Sequence, residues 1–204
     1  MFKVDLKKVQ LPKLEALMES LTSPDAPHWM EAGVLAGATN NVQIPGRKNM
    51  ERNVATYARW NEFGTTRIPE RPFLRNSFAE HSEEWAEAAM LALRAHIRNV
   101  KTEGGKVLEH ALSAAGRLAQ ADIVKTIEDA GGWAEANSPA YARWKARYRK
   151  DDQGDPLTLT ATLAKSIQYQ LTTEGGELVG EPSPMSKSKA KTPSGGSKGK
   201  GGSK

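Results

Sequence analysis

The 204-residue sequence predicts an α+β protein: long amphipathic helices packed on a small, mostly antiparallel sheet, with a disordered C-terminal tail. Three observations predict it. Apolar residues recur at helical spacing over two long stretches between 77 and 127. Short segments near 29–36 and 167–180 have strand character. The last twenty residues, MSKSKAKTPSGGSKGKGGSK, hold Ser, Gly or Lys at sixteen positions. Such a segment cannot bury enough apolar surface to offset the entropy of ordering it.

Val9 to Leu21 places Leu14, Leu17, Met18 and Leu21 at helical spacing, and Pro24 and Pro27 end that element. Trp29 to Ala36 alternates loosely through Met30, Ala32 and Val34, which predicts a strand. Residues 37–50 are rich in Gly, Asn and Pro and read as a loop. Asn53 to Phe63, NVATYARWNEF, reads as a short helix closed by Gly64, the residue type most often found just past a helix end. A connector, Thr65 to Arg71, contains Pro69 and is followed by Pro72.

Ser77 and Glu80 have the Ser-x-x-Glu spacing of a capping box, which predicts a helix start there. Trp85, Ala89, Leu93 and Ile97 then form one stripe. Gly104-Gly105 interrupts the pattern. A second helix follows with Leu108, Ala111, Leu112, Ala115, Ala119, Ile123 and Ile127 on one face, and Gly131-Gly132 is predicted to stop it. Asn137-Ser138-Pro139 reads as another start, with Ser138 as N-cap and Pro139 in the first turn. That helix sets Tyr141, Trp144 and Tyr148 on one side. After an Asp-Gly-Pro turn at 151–156, Leu157 to Leu163 reads equally as helix or strand. Ile167, Tyr169 and Leu171 alternate as in a strand. Glu174-Gly175-Gly176 is a turn signal, and Glu177 to Gly180 reads as a returning strand. The organisation expected is one folded domain over 1–182 and a disordered tail over 183–204.

Composition narrows the classes. Hydrophobic residues are 38% and charged residues 26%, as in a soluble domain with one core. The absence of Cys excludes disulfides, thiolate metal sites and a Cys nucleophile. No stretch approaches the ~20 apolar residues of a membrane span. Met1 to Lys8 carries basic residues without a following apolar segment, so no secretory signal is expected. The net charge of +5 is concentrated in the tail, and removing its six lysines leaves −1. Bulk charge therefore gives no argument that the folded part binds nucleic acid.

No enzyme signature is present: no GxSxG, HExxH, P-loop or GxGxxG. Four histidines, His28, His81, His96 and His110, are scattered, and His96 and His110 fall on separate predicted helices that could bring them together. They read as structural or surface histidines rather than a metal pair. Glu80, Glu83, Glu84 and Glu87 read as a solvated acidic face complementing a helix dipole. No catalytic residue, metal site or cofactor is expected.

Residues 141–150, YARWKARYRK, interleave Arg143, Lys145, Arg147, Arg149 and Lys150 with three aromatics. Basic charge beside stacking rings can serve nucleic acid. The aromatic spacing instead predicts rings in the core with the basic side in water, a side that can still face a polyanion. Lys187, Lys189 and Lys191 belong to a tail that reads either as a solubilising extension or as a phosphate-contacting arm, the latter making binding strongly salt-dependent.

A further pattern lies in Ala55-Thr56-Tyr57-Ala58-Arg59-Trp60-Asn61-Glu62-Phe63-Gly64-Thr65, followed by Ile68-Pro69-Glu70-Arg71-Pro72-Phe73-Leu74-Arg75. These residues resemble the minor tail protein Z, or tail completion, family of long-tailed bacteriophages and prophages. That family shows an Asn-Glu-Phe-Gly-Thr core and then an Arg-Pro-Phe-Leu step into a long helix. Ala32-Gly33-Val34-Leu35 sits where the family has its first strand. Ser138-Pro139, Lys150 and the run from Pro156-Leu157 to Ser166-Ile167 resemble its Pro-Leu-x-x-Thr-Gly-x-Leu-x-x-Ser-Ile segment, with Ala161 where Gly is usual. The resemblance covers roughly residues 29–171.

The resemblance implies a non-enzymatic virion protein with a tail-terminator-like fold, made in the host cytoplasm and placed at the neck between head and tail. It implies a homo-oligomeric ring, hexameric in the family, that completes or caps the tail and lets the filled head dock. Its partners would be further copies of itself, tail-tube or terminator subunits, connector or portal proteins and packaged DNA, with no membrane and no small-molecule substrate. Two alternatives stand beside completion: a terminator that stops tube growth, and a DNA-binding accessory protein using 141–150 and the Lys-rich tail. The interface residues expected are Glu62, Phe63, Gly64, Arg67, Arg71, Pro72, Phe73 and Arg75. Phe73 and Phe78 would be anchors, and Arg67, Arg71 and Arg75 would offer guanidinium forks to partner carboxylates.

Overall fold

A computed structural model describes residue 18 and residues 21–35, 53–99, 106–148, 155–157 and 162–184. The elements in order are β1 (Pro27–Val34), α1 (Val54–Phe63), α2 (Phe73–Asn99), α3 (Val107–Glu128), α4 (Ala130–Trp133), α5 (Pro139–Tyr148), α6 (Thr162–Lys165) and β2 (Ile167–Thr173). The result is α+β, as the periodicities predict, with helices dominant and a two-stranded antiparallel sheet. Of the expected first helix, Met18 and Leu21 are described and are helical. The loop 37–50, the Gly104-Gly105 break, Ala161, Arg149, Lys150 and the tail lysines Lys187, Lys189 and Lys191 lie outside the described residues.

Helices α2 and α3 form an antiparallel hairpin. At ~1.5 Å per residue, the 27 residues of α2 span about 40 Å. Cross-contacts fix the direction. Ser77 Oγ donates to Thr126 Oγ1 at 2.8 Å, Trp85 Nε1 to Asp122 Oδ2 at 2.8 Å, and the His96 and His110 rings stack with centroids 4.1 Å apart. The two histidines that the sequence leaves on separate helices thus do meet.

Helix α2 starts four residues before the expected capping box. Ser77 is fully buried and its hydroxyl turns to Thr126 on α3, so it cannot cap. The acids Glu80 to Glu87 consequently sit in the second to fourth turns of α2, where the dipole no longer accounts for them.

Helix α3 is the centre of the fold. One face meets α2 and the other meets both strands. Ala111, Ala115, Gly116 and Ala119 are buried along it, and Gly116 lies against Tyr169 of β2. The strands run antiparallel with Met30 opposite Leu171, Ala32 opposite Tyr169 and Val34 opposite Ile167, and the register shifts between Pro27 and Trp29. The expected returning strand is reduced to one bridge, Thr172 to Leu178, and a bond from Val179 N to Leu171 O. Gln120 ties α3 to the sheet by donating through Nε2 to Ile167 O at 2.8 Å. The main core joins Val54, Ala58, Phe73, Trp85, Ala115, Ala119, Ile123, Ile127, Leu163 and Ile167.

Gly116 is where α3 lies against Tyr169. A Cβ there would overlap Tyr169 Cδ2 and fall 2.6 Å from Cγ, atoms near the stem of the ring that cannot swing aside. Gly116→Ala should therefore lower stability by about 1–3 kcal/mol, although alanine is the better helix former. A chemical denaturation midpoint at or above that of the parent protein would show that the helix–sheet contact is looser than described.

Three other expectations are corrected. Gly131-Gly132 does not stop the helical run: α3 breaks at Asp129, and α4 continues through both glycines to Trp133. Trp133 Nε1 donates back to Thr126 O at 2.9 Å, folding that turn onto α3. On α5, Ser138 does cap, its Oγ accepting from Tyr141 N at 3.3 Å. Tyr141 and Trp144 do not form the expected core stripe, however, and the Tyr148 side chain lies outside what is described. Tyr141 is exposed and stacks on Trp144 with centroids 5.4 Å apart, while Lys145 is 1% exposed. Finally, ordered contacts run past 182. Tyr169 N donates to Ser183 Oγ at 2.9 Å and Ser183 N to Tyr169 O at 2.8 Å.

Candidate functional site

The segment from Asn61 to Arg75 is built around one buried carboxylate. Helix α1 is capped at its start by Asn53, whose side chain accepts from Ala55 N at 2.9 Å. It ends at Phe63 because Gly64 takes φ 69, left-handed. A Cβ on Gly64 would fall 3.0 Å from Glu70 N and 3.2 Å from Ile68 O, so only glycine suits this turn. Thr65 then organises the connector. Its N–H donates to Ile68 O at 2.8 Å, and its hydroxyl oxygen accepts from Arg67 N and Ile68 N at 3.2 and 3.0 Å.

Glu62 reaches across this turn to the start of α2. Its Oε2 accepts from Leu74 N at 2.9 Å and its Oε1 from Arg75 N at 3.1 Å. A long-range carboxylate thus fills the place of a local cap, satisfying two otherwise orphaned N–H groups at the positive end of the helix. Arg75 folds back over it. Arg75 Nε donates to Glu62 Oε1 at 3.0 Å, and its terminal nitrogen to Glu62 O and Glu70 Oε1, both at 2.5 Å. These bonds, to Glu70 first and then to Glu62, raise the Arg75 pKa above the usual arginine range. The guanidinium also lies 5.1 Å from the Phe63 ring centroid, in cation–π range.

Arg71 locks the other side. Its backbone N donates to Asn61 O at 2.7 Å, its Nε to Glu135 O at 2.9 Å, and its terminal nitrogen to Asn137 Oδ1 at 3.1 Å. Desolvation lowers its pKa, opposed by Tyr57 and then Glu135 and Tyr141. Burial likewise raises the Tyr57 pKa. Asn61 Nδ2 donates to Tyr57 O at 2.9 Å.

The expected interface set therefore divides. Glu62, Arg71 and Phe73 are buried at 3%, 5% and 0% exposure and hold the chain's own fold, so Arg71 offers no fork to a partner and Phe73 is a core anchor, not a surface one. Pro72 is half-buried and its carbonyl accepts from Asn76 N at 2.9 Å in the first turn of α2. Gly64 is half-buried. Phe63, Arg67 and Arg75 are at the surface, with Arg75 engaged by Glu62 and Glu70. Phe78 is exposed and meets Trp85 edge-on, with centroids 6.1 Å apart.

Two residues the sequence reading did not assign to the site belong to it. Arg59 and Trp60, with Phe63 and Gly64, line an open depression of about 380 Å³ at the end of α1. Trp60 and Phe63 are 36% and 63% exposed. The signal lay in the i, i+3 spacing of Trp60 and Phe63, which shares one helix face, while Ala58, Asn61 and Glu62 take the inner face.

The basic segment is also divided. Arg143 and Arg147 are exposed, but Lys145 is buried and its Nζ donates to Asp155 O. The sequence places five cations on a solvent side; within the described part of that segment, one of the three is committed to holding α5 onto the turn at 155. Among the described residues no helix is long and apolar enough to cross a membrane. No family model, curated protein or solved structure matches this chain.

Proposed function

We propose that this is a structural subunit of a long-tailed phage or prophage particle, acting at the head–tail interface to complete the tail and permit head docking. It would work without catalysis, as one copy in a homo-oligomeric, tail-terminator-like ring, hexameric as in the family it resembles. The observation that carries the reading is the rigid turn after α1. Within the Asn-Glu-Phe-Gly-Thr motif, Glu62 and Gly64 spend themselves on internal bracing, while Trp60 and Phe63 point outward beside Arg59 and Arg67. Two large rings held exposed by a braced backbone, rimmed by arginines, have the composition of an interface centre. The bracing lowers the ordering cost such a contact would otherwise carry.

The test is genetic. An early stop codon in the gene of the inducible phage or prophage, followed by negative-stain imaging of the lysate, should show DNA-filled heads separate from finished tails of normal length. Overlong tails would make the protein the terminator instead. Intact, infectious particles would overturn the assembly reading and leave DNA binding as the reading to pursue.

A further inference from the structure

A second cluster lies on the α2–α3 hairpin, away from the turn after α1. One ring nitrogen of His81 and one carboxylate oxygen from each of Glu84 and Asp122 fall within 4.8 Å of one another. His81 and Glu84 are one helical turn apart on α2, and Asp122 comes across from α3. We propose that these three side chains bind a single first-row divalent cation, of the kind represented by Zn²⁺, that pins α2 to α3.

The ligand chemistry favours it. One imidazole with two carboxylates is a mixed nitrogen–oxygen donor set suited to such ions, and three protein ligands leave positions for water. At metal–ligand distances of about 2.0–2.2 Å, two ligands of a tetrahedral ion stand about 3.3 Å apart. His81 Nδ1 and Glu84 Oε2 are 3.3 Å apart. A carboxylate oxygen of Asp122 lies within 4.8 Å of both.

The surroundings are also those of a ligand site. Trp85 Nε1 donates to Asp122 Oδ2 at 2.8 Å, as outer-shell donors hold metal-binding carboxylates. On the other edge of the imidazole, Glu80 lies 3.9 Å from His81 Nε2. Among the described residues no Lys or Arg forms an ion pair with Glu84 or Asp122. The dipole of α2 does not explain these acids either, because the helix begins at Phe73.

The test is isothermal titration of the full chain with ZnCl₂, paired with thermal melts. One equivalent should bind. At about a hundred-fold excess over Kd, the melting temperature should rise by roughly 5–10 °C. His81→Gln, Glu84→Gln and Asp122→Asn should each weaken binding by at least about ten-fold. Asp122→Asn keeps an acceptor for Trp85, and the Glu84 side chain is 65% exposed, so these variants keep the fold in place. The double change His96→Gln with His110→Gln, which removes the stacked pair, should leave binding unchanged. The proposal is overturned if the parent chain takes up no Zn²⁺. It is equally overturned if binding persists in the three single variants or vanishes with the stacked pair.

Discussion

Phe73→Ala is expected to cost about 3–5 kcal/mol, a large share of the ~5–15 kcal/mol that holds a typical domain together. Phe73 is the first residue of α2 and is fully buried. It belongs to the buried cluster that also holds Val54 and Ala58 of α1 and Ile123 and Ile127 of α3. Truncation removes the whole ring from the buried cluster and leaves a void in its place. The comparison is Phe78→Ala, five residues along the same helix. Phe78 is 64% exposed and gives up one edge-on contact with Trp85, so its loss should cost only about 0.5–1.5 kcal/mol. Urea denaturation of both variants against the parent checks this. The Phe73 variant should unfold at much lower urea with an unchanged slope. Equal midpoints for the two variants would mean that the core does not close over Phe73.

The same pair shows how far the sequence reaches. Both phenylalanines follow the Arg-Pro step, and both read as anchors on a partner surface. Helix periodicity places α2 and α3 correctly, since those stripes are long and each turn repeats the signal. It does not say which side of α2 faces α3 near its start, because that depends on where the helix begins. The Ser77/Glu80 pair suggests a start four residues late. The real N-terminal partner is Glu62, twelve residues before Leu74, and no local pattern announces a cap supplied from another helix. Lys145 misleads for a similar reason. A lysine among aromatics reads as solvated until the Asp155 carbonyl is seen to receive its amine. Both strands were legible from alternation, but their pairing was not: the turn signal at Glu174-Gly175-Gly176 points to a partner at 177–180, whereas β2 pairs with β1. The motif Asn-Glu-Phe-Gly-Thr was legible as a unit, but its division into internal brace and outward ring was not, since buried and interfacial residues share the same composition.

That division makes Glu62 the sharpest test of the turn. Glu62→Ala should destabilise the protein by about 2–4 kcal/mol, the sum of a lost helix cap and a lost charged acceptor. Two N–H groups, on Leu74 and Arg75, would be left without their carboxylate, and the Arg75 guanidinium would keep Glu70, the Glu62 carbonyl and the Phe63 ring. Glu62→Gln should lose less, since one amide oxygen can still accept from the helix start. Arg75→Ala should lose least, because that side chain is half exposed and its ion pairs are shared with water. Thermal melts under one buffer read the ranking, with Glu62→Ala worst, Glu62→Gln intermediate and Arg75→Ala mildest. The reverse order, with Arg75→Ala the most damaging, would mean that the ion pair rather than the helix cap holds the turn. Phe63→Ala completes the argument from the other side. Its ring is 63% exposed, so the monomer should melt close to the parent temperature. A subunit whose ring assembly fails in Phe63→Ala while its melting holds, and whose melting falls in Glu62→Ala, would separate the outward face of the motif from the brace beneath it.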